Sequence, residues 1–113
     1  MRRVRGVVMI PTDAPTTTAR VVVEVRDVSY ADGTAPVLAS VAIEGAPMWP
    51  GGRIPFVLDA PEVPAATALS LRCHVDIVGD GTVAVGDLLS TRSIPVPVTG
   101  DVGPLTAPVD VVT

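Results

Sequence analysis

The sequence predicts an all-β fold, a seven-strand antiparallel β-sandwich in which residues 1–113 make one domain. Three observations carry this expectation. Val-rich runs with a two-residue period recur along the chain. Twelve prolines and ten glycines fall between and within those runs. No window is long enough and free enough of Pro and Gly to propose a helix. Valine is β-branched and suits a pleated surface better than a helix. A chain of 113 residues is sized for one domain with a modest core.

The first run is Arg3 to Ile10, ended by Pro11, with a Thr/Pro/Asp loop from Thr12 to Thr18. The second, Ala19 to Val28, is the clearest half-buried strand. Val21, Val23 and Val25 share one face, and Arg20, Glu24 and Arg26 the other. The loop from Ser29 to Ala35 contains the turn-forming pair Asp32-Gly33. The third run, Pro36 to Glu44, puts Val37, Ala39, Val41 and Ile43 on one face, and a loop from Gly45 to Gly52 follows. The fourth, Arg53 to Leu58, alternates Ile54, Phe56 and Leu58, while Pro55 points to an edge or a bulge. After a Pro/Ala loop, Ala60 to Thr67, the fifth run covers Ala68 to Val78. Leu69, Leu71, Cys73, Val75 and Ile77 face in; Ser70, Arg72, His74 and Asp76 face out. The sixth, Leu88 to Val98, has Pro95 and Pro97 as edge signals, and Leu105 to Val112 is the last. Seven such runs fit an immunoglobulin- or transthyretin-like Greek key.

Composition bounds the function. Hydrophobic residues make 48% of the chain, charged residues 18%, and mean hydropathy is +0.51, so apolar surface remains after a small core is filled. Such surface meets a partner: another protein, or a second copy in a homodimer joined through an edge strand. Val22 adds to this, being apolar on the outward phase between Arg20 and Glu24. The net charge is −4 and every cation is Arg, with no basic run beyond Arg2, Arg3 and Arg5. That excludes a nucleic-acid face, and the three arginines read as a solvated start. No stretch approaches the roughly 20 apolar residues of a membrane span, and Val7 to Ile10 is too short for a signal-peptide core.

Few residues offer chemistry. Cys73 is the single cysteine, on an inward phase, and reads as a small core hydrophobe. His74 is the single histidine and reads as a surface residue beside Arg72 and Asp76. No nucleophile stands in a recognisable context. Asp27, Asp32 and Asp59 read as turn caps. Trp49, between Met48 and Pro50, reads as a plug for one end of the sandwich.

The stretch from Asp76 to Asp87 has two readings. As a twelve-residue calcium loop it supplies Asp76, Asp80 and Asp87 at positions one, five and twelve, with Gly81 at six and an apolar residue at eight. Against this, Val78 stands where a side-chain oxygen is needed, Asp replaces Glu at twelve, and the flanks read as strands. As a hairpin loop, Asp80-Gly81 makes the turn and the Asp side chains cap backbone N–H groups.

Three stretches together resemble the YbaY/YscW-type lipoprotein family, which includes type III secretion pilotins. They are Ala19-Arg-Val-Val-Val-Glu-Val-Arg-Asp-Val-Ser29 with Ala31-Asp32; Ala35-Pro-Val-Leu-Ala39 with Ile54-Pro-Phe-Val-Leu58; and Leu71-Arg-Cys-His-Val-Asp76 with Gly86-Asp87 and Ser93-Ile-Pro-Val96. The resemblance implies a small exported β-sandwich of the cell envelope or periplasm, with a chaperone-like binding role and no catalysis. The sequence departs from that family in showing no signal peptide and no lipobox cysteine, and Cys73 cannot serve as one.

The expectation is therefore a non-enzymatic binding or structural module without catalytic residues. A calcium-binding module built on Asp76, Asp80 and Asp87 is the first alternative. A small hydrolase on a transthyretin-like fold is the second, weakened by the presence of one histidine.

Overall fold

The computed structural model describes residues 1–113 except Ala31, Asp32 and Thr34. The described residues form nine strands and no helix: β1 Arg2–Met9, β2 Thr17–Asp27, β3 Val37–Met48, β4 Arg53–Ala60, β5 Leu69–Asp76, β6 Leu88–Leu89, β7 Pro95–Val96, β8 Val102–Pro108 and β9 Asp110–Val111. They make two sheets that pack as a sandwich. The smaller has the order β4-β1-β8. The larger runs β3-β2-β5-β6-β9, with β7 also on β5. All pairs are antiparallel except β1 with β8, which run parallel from Val4–Val102 to Met9–Pro108. Turn Asp32, expected beside Gly33, lies outside the described residues.

The core follows from the two-residue period. Val21, Val23 and Val25 of β2 are fully buried against Ile54, Phe56 and Leu58 of β4 and Val4 and Val8 of β1 in one cluster. Each such side chain contributes about 1.5–3 kcal/mol on burial, against about 0.2–1 kcal/mol for a cross-strand pair. Burial therefore decides the register. Sliding β2 by one residue would put Arg20, Glu24 and Arg26 inside.

Seven expected runs become nine strands because two of them divide. The run from Leu88 to Val98 holds to β5 only at its ends, as β6 and β7. The last run begins earlier, at Val102, and splits at the buried Val109, with β8 joining the small sheet and β9 the large one. Strand β3 also runs past Glu44 to Met48. Gly45, at φ 59°, supplies a bulge there, opposite the register shift between Ala19 and Val21, and the bulge turns Ala46 and Met48 inward.

Two side chains depart from expectation. Arg2 is not a solvated start: it is 3% exposed, and its guanidinium donates to the carbonyls of Pro61, Pro97 and Gly100. Strand β1 begins at Arg2, whose inward phase carries the side chain beneath two loops. Trp49 does not plug the sandwich end. Its neighbour Met48 is the one buried in the core, while Trp49 stays 47% exposed with its ring lying over Gly52.

Candidate functional site

The polar residues singled out in the sequence converge at one place, the outer face of the large sheet where β5 ends. Strand phase puts His74 and Asp76 on that face, as expected, since Cys73 and Val75 point into the core. Yet His74 is 4% exposed and Asp76 1%. The segment from Ile77 to Asp87 folds back over them, so the outward phase was legible and the burial was not.

The carboxylates organise this cover. Asp76 accepts the N–H groups of Gly79 at 2.7 Å and Gly81 at 2.8 Å, one on each oxygen. Asp87, 1% exposed, accepts from Ile77 at 3.0 Å through Oδ1 and from Ala84 at 3.1 Å through Oδ2. The same Oδ2 lies 3.0 Å from His74 Nε2. Burial pushes the Asp87 carboxyl up, but the His74 contact and the two backbone N–H groups outweigh it and hold the group below the ordinary carboxylate range. Asp80 takes no part: exposed, it accepts the N–H of Thr82 at 2.9 Å. The ligand atoms of His74, Asp76 and Asp87 lie within 4.8 Å of one another. Of the three aspartates expected in a calcium loop, the fold thus brings two together with a histidine and leaves the third apart.

The chemistry of the cluster is that of a folded loop. Each carboxylate oxygen already receives a backbone N–H, and these bonds hold the segment against the end of β5. The His74 ring is closed off from solvent. Cys73, next to it in sequence, faces the opposite side, and burial pushes its thiol up to about 12 while the Arg72 charge pulls the other way. A thiol so protonated is not a nucleophile near neutrality. Asp27 caps Ser29 N–H at 2.9 Å, and Asp59 stands exposed on β4.

A second feature is the sheet edges. Strand β4 is an edge that carries Pro55 together with Arg53 and Asp59, and β8 an edge with Pro104 and Pro108. Strands β7 and β9 are two residues long. Strand β3 is different: from Val37 to Ile43 it has no charge, no proline and no glycine, and among the described residues only β2 pairs with it. On its inner face Ala39, Val41 and Ile43 are only partly buried, although their partners Val25, Val23 and Val21 on β2 are fully buried. The small sheet has three strands and the large one six.

No family model and no curated protein matches the chain. The chain is similar in fold to a solved structure described as an alternative pilotin from the type II secretion system of Vibrio cholerae. The two share 21% identity at a TM-score of 0.66, with 96% of each chain covered. The fold expected from the strand motifs thus has a counterpart in that solved pilotin, whose own system is type II rather than type III.

Proposed function

We propose that this protein is a non-enzymatic β-sandwich that binds a protein partner by adding a strand to the free edge of β3, in the manner of a cell-envelope chaperone or pilotin. The unguarded edge from Val37 to Ile43 carries this reading. Unpaired N–H and C=O groups along an apolar edge are a template for another strand, and the other edges of this fold are short or protected by proline and charge. The half-covered Ala39, Val41 and Ile43 give an incoming segment an apolar wall beside the backbone ladder. The likeness in fold to a pilotin, and the resemblance of three sequence stretches to the YbaY/YscW-type family, support the same assignment.

A photo-crosslinking residue at Ser40, exposed on β3, tests it, with the same residue at exposed Thr106 on β8 as the comparison. The expected result is a discrete adduct from Ser40 and none from Thr106, abolished by Ala42→Lys, which places a charge on the edge strand. Sedimentation of the same samples tells a second copy from a different protein. Equal adducts from both positions, or an Ser40 adduct indifferent to Ala42→Lys, would overturn the reading.

A further inference from the structure

On the outer face of the large sheet a cleft of about 250 Å³ is lined by Arg26, Arg72 and Arg92, by the hydroxyl residues Ser70, Ser90 and Thr91, and by Val28, Ala35 and Leu71. Its origin is the divided neighbour of β5. Strand β6 pairs with His74 and Val75, and β7 with Leu69 and Ser70. Between them the connection carrying Ser90, Thr91 and Arg92 leaves the ladder. Ser90 Oγ takes up the Cys73 N–H at 2.9 Å. The gap opens beside Arg72, with Arg26 one strand away, opposite Ser70.

The charge is unbalanced. Glu24 is the only carboxylate paired with these arginines among the described residues, and a single oxygen of it, Oε1, takes Arg26 Nη2 at 2.8 Å and Arg72 Nη1 at 3.3 Å. Arg92 has no ion pair among the described residues. Among the described residues three guanidiniums therefore line one cleft and share one carboxylate, while Asp110 stands behind the rim, accepting the Thr91 hydroxyl at 2.6 Å. Ser70 and Ser90 accept backbone N–H groups through Oγ, from Ile94 and Cys73, and their own hydroxyl protons remain free to donate. Planar forks of donors with adjoining hydroxyls match an oxyanion.

We propose that this cleft is an anion-binding site for a single carboxylate or phosphate group, held by Arg92, Arg72 and Arg26 with the Ser70 and Ser90 hydroxyls. It does not depend on the β3 edge reading. The test is a titration of the isotope-labelled protein, followed by amide resonances, with inorganic phosphate, with N-acetyl-leucine, and with the uncharged N-acetyl-leucinamide, all at equal ionic strength. The expected result is a saturable response centred on Leu71, Ser90 and Arg92 with at least one anion and none with the amide. Arg92→Gln, at an exposed position, should weaken binding about tenfold while leaving the rest of the spectrum in place. A response to phosphate alone identifies a phosphate site, and one to N-acetyl-leucine alone a carboxylate site. Non-saturating or scattered responses, or affinity unchanged in both Arg92→Gln and Arg72→Gln, would overturn the proposal.

Discussion

His74 Nε2 and Asp87 Oδ2 meet at 3.0 Å beneath the segment that links β5 to β6, and both side chains are buried. The pair ties the end of the loop to the strand on which the loop began. Asp87→Asn removes the charge and one acceptor oxygen, leaving a buried N–H of Ile77 or Ala84 without a partner, at an expected cost of about 1–3 kcal/mol. The pH dependence has a definite sign. The folded carboxyl ionises at lower pH than the unfolded one, so its contribution is complete above the ordinary value of 3.8 and fades as pH falls through the lower folded value. Melting curves of both proteins should differ at pH 7 and converge in acid. A gap that persists unchanged at pH 2 would refute this account.

Calcium is expected to leave the melting temperature unchanged at millimolar concentration. The fold gathers two carboxylates and one histidine, short of the roughly 6–8 oxygen ligands that calcium takes, and Asp80 lies outside the group. A clear upward shift that Asp76→Asn abolishes would instead mean that the carboxylates hold the ion through their remaining lone pairs, restoring the calcium loop as a binding site.

Gly6→Ala should destabilise the small sheet. A Cβ there would run into the Leu105 carbonyl and sit 2.8 Å from the Phe56 ring. Leu105 belongs to the parallel neighbour β8 and is held by the ladder, so the backbone has little room to yield. A loss of about 1–3 kcal/mol in denaturant unfolding is expected, and a neutral substitution would show that β8 can shift.

Arg2→Met keeps much of the buried stem and removes the charged donors. The carbonyls of Pro61, Pro97 and Gly100 then lose one common partner. A charged hydrogen-bond donor of this kind contributes about 1.5–3 kcal/mol. Hydrogen exchange should rise in the loops holding these residues before it rises in β2.

The strongest local patterns were the most legible. Alternating Val21, Val23 and Val25 mark β2 without ambiguity, and Pro55 and Pro95 correctly mark edge strands. Cys73 is buried as its phase requires. What stayed hidden depends on distant segments. His74 has the phase of a surface residue, and only the return of the chain at Asp87 buries it. The run of Asp76, Gly79, Asp80, Gly81, Gly86 and Asp87 carried a trace of this, because short acceptors among glycines let a loop fold onto its own start. Arg2 gave no such trace, since its carbonyl partners lie 59 to 98 residues away. The early start of β8 was masked by Gly103-Pro104, a pair that reads as a loop.

The parallel pairing of β1 with β8 and the passage of the chain through Val109 into β9 have a consequence for how the molecule is made. The first strand waits for a neighbour about 100 residues downstream, and the outermost ladder of the larger sheet waits for Asp110 and Val111. A growing chain can form the β2–β3 hairpin early, but the small sheet is not complete until residue 108 has been added, nor the large one until residue 111. Contacts of such long separation are slow to close. Until β8 arrives, the side of β1 that it covers is an unpaired strand edge. During that interval the open edge is a place where another chain can pair in error.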